Sequence, residues 1–415
     1  MFLTKLAFKN LVRHRNRTLI TAIIIAFAIF FYILMDSLIG GMTEMSYENI
    51  IDYEAGHLQI VIQDYWEEEE ELPLDNLIST DEQVMKIVGD VYQNALSSPE
   101  LNFSARLNNG INELPVVGKG INPEYLLEVF SLQDKFVEGS MFLSGENKAV
   151  LGKRLADLLK LEPGDYITLL VKDKNETFNT IDAEISGLLH TGNPNVNNNY
   201  IYLPLDIVQQ SLNVVNQVSK VIVRLENKDL AVELSNQLED NLKIIDSSLQ
   251  VYSWEELEAV SVAGAKQMGN QMILAIILMI AAIAIINTVI LAALERMGEI
   301  GMMKAMGLQR KEIIYTFVLE STGIGILGGL IGLVLGVFGV WIFRIYGIDW
   351  GAMMGMENMN MSTFGIPVLG KMYGVWNPAA FISVFMFGII VSLLASILPA
   401  YWAASKDPIK AIYHK

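Results

Sequence analysis

Hydrophobic positions along this chain fall into two regimes. Residues 18–35, 272–294, 321–343 and 379–403 are long apolar runs almost free of charge. Each has the length that a hydrocarbon core of roughly 30 Å demands of a helix, so each predicts a membrane span. Between the first two runs the period changes. GHLQIVI, YITLLV, AEISGLL, NYIYLPL and KVIVRL are short, alternating and rich in β-branched and aromatic residues, which predicts strands. The stretch GENKAVLGKRLADLLKLEPGDYITLLV reads as strand, amphipathic helix, Pro-Gly turn and strand, with Leu151, Leu155, Leu158 and Leu159 at helical spacing. KDLAVELSNQLEDNLK predicts a second amphipathic helix, while WEEEEELPLD and HTGNPNVNNN read as surface excursions. The fold class that follows is membrane α-helical, with four transmembrane helices, plus a large extracytoplasmic mixed α/β domain.

Charge orients these pieces. The segment before the first run carries Lys5, Lys9, Arg13, Arg15 and Arg17 and no acid. Residues 295–312 hold Arg296, Lys304, Arg310 and Lys311 against three Glu, and the tail holds Lys406, Lys410 and Lys415 against Asp407. Residues 41–268 hold 15 Lys/Arg and 38 Asp/Glu. Short basic segments stay in the cytoplasm and large domains cross largely regardless of charge, so both termini are expected inside and the acidic domain outside. The expected layout is a cytoplasmic amphipathic helix at 1–17, spans at 18–40, 269–294, 317–343 and 379–403, and an α/β domain of two subdomains at 41–268. A cytoplasmic segment at 295–316, a short periplasmic loop at 344–378 and a cytoplasmic tail at 404–415 fill the remainder. Lys5, Lys9 and Arg13 share a helical stripe suited to an anionic leaflet, although flanking positive-inside charge explains them as well.

Composition removes several classes of function. A mean hydropathy of +0.37 suits a mixed membrane and globular chain, and the net charge of −17 argues against nucleic acid as a partner. Cysteine is absent, so the outer domain uses no disulfides, and the first apolar run reads as an uncleaved anchor. No G-x-x-x-x-G-K-[ST] loop is present, and His14, His57, His190 and His414 are scattered without a metal-binding helix. The acids of 67–71 lack the alternating ligands and glycine turn of a calcium loop and read as a solvated loop. The spans offer Asn287 as their one strongly polar interior group, with Asp36 and Glu320 at edges, which suits neither a proton relay nor an ion path. Work done by such a chain needs an external motor. Glycines 325, 329 and 328, 332, 336 in the third span allow close backbone approach, either within the chain or at a dimer seam.

The segment ERMGEIGMMKAMGLQRKEII has the makings of a handle for that motor. It is helix-compatible and closed by Gly307, with Gly298, Gly301 and Ala305 permitting close approach, Met302, Met303 and Met306 offering adaptable apolar surface, and Glu299 and Lys304 orienting charge. From the residues alone a plain re-entry loop remains equally open. The pattern E-R-x-x-E-I-G-x-x-x-A-x-G, an E-I-I helix and Glu320 leading a Gly-rich span resemble the FtsX-like permease domain of bacterial ABC transporters, the MacB/LolC/LolE superfamily. LAFKNLVRHRNRTLIT resembles the family's N-terminal elbow and first span, and SKDPIKAI its tail. GHLQI, VVGKGINPE, AVLGKRLADLLKLEPGDYITL and NNYIYLPLDIVQQSL resemble its MacB-type periplasmic core.

The resemblance implies a permease without its own ATPase site, working in the bacterial inner membrane with two copies of a separate ABC ATPase. ATP and Mg would be bound by that partner, and no cofactor by this chain. Glu295, Arg296, Glu299, Gly301, Met302, Lys304, Ala305 and Gly307 would form the coupling segment seated in the ATPase. A second permease, identical or related, would complete the pair among the membrane lipids. The layout is nearest the lipoprotein-releasing LolC/LolE type, which implies a lipoprotein substrate and a periplasmic carrier. Ile25, Ile29, Met35, Met272, Ile276 and Met279 are candidate lipid-cargo lining, chosen by position and apolarity. HTGNPNVNNN departs from that type, where an acid often precedes the next strand. Two other readings stay open: a mechanotransmitting permease that drives an efflux component or cell-wall hydrolase without passing cargo, and a membrane-anchored enzyme with its site in 41–268.

Overall fold

A computed structural model describes residues 9, 11, 13, 15–67, 72–79, 81–295, 297–349 and 371–405. The helix expected at 1–17, the acidic run 67–71, the loop 344–378 and the tail 404–415 lie wholly or largely outside these residues. The chain divides into two compact units, one made of Met1–Thr43, Lys266–Trp350 and Lys371–Lys415, the other of Glu44–Ala265 and Gly351–Gly370.

The first unit is helical. Its long helices are Arg15–Ile50, Glu258–Leu294, Arg310–Tyr346 and Pro378–Ser405, with the short helix Met297–Ala305 between the second and third. Each of the four long helices is apolar enough and long enough to cross a membrane. The first does not stop near residue 40. It runs unbroken to Ile50 and ends in a π-helical turn, Ile51–Ala55, closed by Gly56 at φ +66°. Gly41 serves close approach: a Cβ there would lie 2.2 Å from the Tyr373 carbonyl oxygen. The third span likewise starts at Arg310 instead of 317, because Glu312 Oε2 accepts from the Gln309 N–H at 2.8 Å and caps a polar first turn.

Lipid gives apolar helices no hydrophobic reason to associate, so spans associate through packing that small residues permit. The third span shows this directly. A Cβ on Gly328 would meet the Ala22 carbonyl oxygen at 2.7 Å, and one on Gly332 the Ala26 carbonyl oxygen at 2.8 Å. Gly336 faces Ile33, while Gly329 faces Phe385 and Gly325 faces Ser392 of the fourth span. The glycine stripe therefore packs within the chain, against the first and fourth spans. Ile25, Ile29 and Ile33 fill the space that the missing side chains leave.

The second unit is built on one ten-stranded sheet. Its strands are β1 (Leu58–Ile62), β2 (Leu96–Asn108), β3 (Glu113–Ile121), β4 (Phe136–Gly139), β5 (Lys148–Gly152), β6 (Tyr166–Lys172), β7 (Phe178–Leu189), β8 (Tyr200–Pro204), β9 (Lys220–Arg224) and β10 (Leu249–Ser253). The order is β10-β1-β9-β2-β3-β8-β5-β7-β4, and β6 pairs with both β7 and β2. That double pairing closes β2-β3-β8-β5-β7-β6 into a ring. Alternate residues Leu101, Phe103, Ala105 and Leu107 of β2 point into its core with Leu169, Ile185 and Ile201. The open end, β10-β1-β9, carries a second core with Val84, Val88, Leu238 and Leu242 from helices Asp81–Val91 and Ala231–Leu242. A further buried cluster, with Ile121, Phe130, Phe142 and Tyr202, packs on the same continuous sheet, so the domain holds several cores on one sheet. Leu158 points out of its helix, at 56% exposure, while Leu155 and Leu159 point in.

Replacing Gly332 by Leu should separate the first and third spans and lower stability by about 1–3 kcal/mol, the usual cost of overpacking. Gly269→Leu, where nothing lies within 4 Å of a Cβ, should change little. Thermal unfolding of the detergent-purified protein checks this, and equal behaviour of the two variants would reject the seam.

Candidate coupling site

Residues 297–316 form a short helix, a tight turn and the start of the third span. Gly307 takes φ +93°, its N–H donates to the Lys304 carbonyl at 3.0 Å, and the Leu308 N–H donates to the Met303 carbonyl at 3.2 Å. This paired closure needs a left-handed residue, which glycine supplies without steric cost. One side of the helix is pinned to the chain's own spans. Ile300 and Met303 are buried against Ile313 and Phe317 of the third span and Ala400 and Ala404 of the fourth. Lys304 Nζ donates to the Ala404 carbonyl at 3.1 Å. The Arg310 guanidinium sits 4.4 Å from the Tyr401 ring centroid, a cation–π contact at the same corner.

The other side is open. Met302 is 54% and Met306 72% exposed, and Ala305 is exposed beside them. Met303 and Gly301 do not join this outer surface, contrary to expectation, and both are buried. Ile300 must be covered, and on a helix the residue three along shares its face. Glu299 and Lys304 are half-buried, Glu295 is exposed, and Arg296 lies outside the described residues.

The candidate cargo-lining residues divide. Ile25 and Ile29 are 0% and 2% exposed, locked against the glycines of the third span, so they cannot face an acyl chain. Apolarity could not reveal this, because lipid-facing and glycine-facing isoleucines look alike in sequence. Met35 is half-buried. Met272, Ile276 and Met279, spaced i, i+4, i+7 on the second span, are 68%, 54% and 64% exposed. Only 11% of that span's apolar window is buried, against 44% for the first.

The second unit holds a polar joint that sequence reading missed. Glu54, in the π-helical turn, accepts hydrogen bonds from Asn193 Nδ2 at 2.7 Å, Asn195 Nδ2 at 3.1 Å and the Tyr200 hydroxyl. HTGNPNVNNN is therefore no surface excursion. Thr191, Asn193 and Asn197 are buried, Asn197 Oδ1 accepts from the Thr191 N–H at 2.8 Å, and a Cβ on Gly192 would strike Asn49. This Asn-rich loop is held by hydrogen bonds of its own side chains to one another and to the backbone. Arg224 to Asp52 at 2.7 Å and Lys228 to Glu44 add ion pairs to the same helical segment.

Beneath this joint lies a buried ionic triad. Glu100 Oε1 accepts from Lys119 Nζ at 2.8 Å and lies 3.5 Å from Lys220 Nζ, and all three residues are under 4% exposed. Lys119 also stands 4.3 Å from the Tyr200 ring centroid, linking the triad to Glu54. Burial alone would raise the Glu100 carboxyl, but the two ammonium groups outweigh it and hold the carboxyl below its usual range. Tyr200 is raised well above its usual value by burial and then by the Glu54 charge. The cross-strand register Glu100↔Lys220 and Asn102↔Lys119 creates the cluster. Its residues are far apart in sequence, so only the sheet order reveals it.

Comparison with known families settles what this architecture is. Residues 18–241 match the MacB-like periplasmic core domain, and residues 271–408 match the FtsX-like permease C-terminal domain. The chain belongs to the FtsX-like permeases with a MacB-like periplasmic core. Among relatives, it is 24% identical to an uncharacterized ABC transporter permease of Methanocaldococcus jannaschii, over 98% of this chain and 96% of that one. It is 23% identical to the uncharacterized ABC transporter permease YknZ of Bacillus subtilis, over 99% and 98%. It is 26% identical to the lipoprotein-releasing system transmembrane protein LolE of Haemophilus influenzae, over 76% of each. The expected superfamily and fold class are thus both shown, and this FtsX-like permease is an ABC transporter component with a MacB-like domain between its first two spans.

Two measurements probe the joint. Glu100→Gln should destabilise the permease by about 3–5 kcal/mol, because it strands two buried ammonium groups without their counter-charge. Glu100→Leu combined with Lys119→Met and Lys220→Met should cost less than that single change, as read by chemical denaturation. Equal losses would show that packing, and not charge, holds the site. His57 Nδ1 accepts from the Leu225 N–H at 2.8 Å. Burial, then Arg224, lowers its pKa from 6.5 to about 4. The unfolded chain therefore takes up this proton first, and the neutral form's stabilisation, full above pH 6.5, is lost as pH falls toward about 4. His57→Asn keeps an acceptor for Leu225 without titrating, so its melting temperature should fall less across that window, and identical slopes would refute the assignment.

Proposed function

We propose that this permease is the membrane subunit of an ATP-driven transporter whose ATPase is a separate chain, and that it extracts lipoproteins toward a periplasmic carrier. The helix Met297–Ala305 carries the reading. It is fastened on one side by Ile300, Met303 and Lys304 and presents Met302, Ala305 and Met306 on the other. Methionine surface adapts to a partner's groove, and alanine lets the two backbones come close. Two ATPase copies, holding the ATP and Mg, would each grip one such peg, in a pair with a second permease, identical or related. The basic segments at 295–312 and 406–415 support placing the peg and both termini in the cytoplasm, with the α/β domain in the periplasm.

Force entering at the peg meets the third and fourth spans first, then the first span through the glycine seam. The first helix continues to Ala55, where Glu54 is tied into the polar joint. Similarity to LolE supports lipoprotein as cargo, and Met272, Ile276 and Met279 offer acyl chains an apolar face. The stiff joint at Glu54 equally supports the reading in which the domain drives a periplasmic protein and passes no cargo.

Ala305→Glu and Met302→Glu should each leave the protein folded and inserted while cutting ATP-dependent lipoprotein release at least about tenfold, since a carboxylate would be buried unpaired in the ATPase groove. Release from proteoliposomes containing the cognate ATPase measures this. Full activity in both variants would reject the coupling role, and intact ATP-driven cycling without lipoprotein release in the wild type would favour the cargo-free reading.

A further inference from the structure

One face of the ten-stranded sheet carries a stripe of polar side chains removed from water. Ser98, Glu100 and Asn102 alternate along β2 and so share that face. Glu100 stands opposite Lys220 of β9, and Asn102 opposite Lys119 of β3. Gln59 of β1 and Ser98 flank Ile222 of β9 from either side. Leu126 and Val129, from the helix Pro123–Val129, cluster with Ile222 and roof the face. Ser98 and Glu100 are 0% exposed, and Gln59, Asn102, Lys119 and Lys220 are at most 4% exposed.

Gln59 Oε1, Ser98 Oγ, Asn102 Oδ1 and Glu100 Oε2 have no hydrogen-bond partner among the described residues. Glu100 Oε1 faces both ammonium groups and leaves Oε2 bare. Gln59 Nε2 donates to the Ala55 carbonyl at 2.9 Å, so only the oxygen of that amide is left over. Buried acceptors are almost always paired in folded proteins, so a row of bare ones points to a ligand. That ligand must donate, because the carboxylate and the two amide oxygens can only accept. A cation is excluded by Lys119 and Lys220, which outnumber Glu100 in the cluster, and an anion by the lone pairs it would meet. A neutral donor remains, and the closure of the face limits it to the size of water. Water donates twice and typically makes about three hydrogen bonds in such sites.

We propose that this face holds about two ordered waters, one between Ser98 Oγ and Glu100 Oε2 and one between Glu100 Oε2 and Asn102 Oδ1. Residues two apart on a strand are separated by about 7 Å, a gap that one water spans between two side chains. The waters complete the solvation of Glu100 without opening the core, so the carboxylate stays charged between its two lysines. The inference is independent of which ATPase or cargo the permease serves.

The test is an experimental density map of the full-length permease in lipid nanodiscs, at a resolution that shows ordered water. Density is expected within about 3.2 Å of Glu100 Oε2 and of Ser98 Oγ or Asn102 Oδ1. A protein donor on Glu100 Oε2, or no density beside it, would overturn the proposal. Density with the short contacts of a metal ion or the shape of an oxyanion would overturn it too. Ser98→Ala gives an independent reading. A bound water would lose one partner, and the melting temperature should fall by about 2–4 °C. In a dry core the same change deletes an unpaired hydroxyl, so an unchanged or raised melting temperature would contradict the proposal.

Discussion

Backbone contact at glycine is the constraint on which the membrane unit depends. In water the first and third spans would associate through their apolar surfaces, but in lipid that drive vanishes. What remains is the approach allowed where Gly328 and Gly332 face the backbone of Ala22 and Ala26. Gly329 and Gly388 extend the same device to the fourth span, against Phe385 and Ile29. Three spans are therefore locked by shape. Among the described residues the second has no such seam, and most of its apolar window is exposed in the protomer. Within the protomer one span is therefore held loosely and three are fastened.

The short helix after the second span belongs to the locked part. Ile300 and Met303 pack on the third and fourth spans, and the Gly307 closure fixes the turn that follows. The peg is thus a rigid projection. In the second unit, rigidity comes from different physics. Glu54 is held by three donors, and behind Tyr200 a carboxylate and two ammonium groups are removed from water together. Buried charge adds little net stability but tolerates few alternative arrangements, which fixes the geometry behind Glu54.

Much of this was legible in the sequence wherever one residue's neighbours along the chain decide its environment. The four spans, the strands around Ile60, Leu169 and Ile201, and the helix holding Leu155 and Leu159 follow from local period. The glycine that ends the peg follows from its place between Met306 and Leu308. Environments set by distant partners were not legible. Ile25 and Met272 look equivalent, yet one faces glycine and the other is exposed. Gly41 makes room for Tyr373 within a continuous helix, a role set by a partner more than 300 residues away. The asparagines of HTGNPNVNNN read as solvated until Glu54 is brought to them. Glu100, Lys119 and Lys220 become a triad only once β2, β3 and β9 lie side by side.

The central claim is that the outer face of the Met297–Ala305 helix seats in a nucleotide-hydrolysing partner, while its inner face stays with the chain. The chain has no cysteine, so single cysteines can be placed there without background. The decisive measurement is cross-linking from positions 302, 306 and 303 to the cognate ATPase in native membranes. The account predicts efficient cross-links from 302 and 306 and none from 303, which is buried against the chain's own spans. Cross-links absent at all three positions, or strongest at 303, would contradict it.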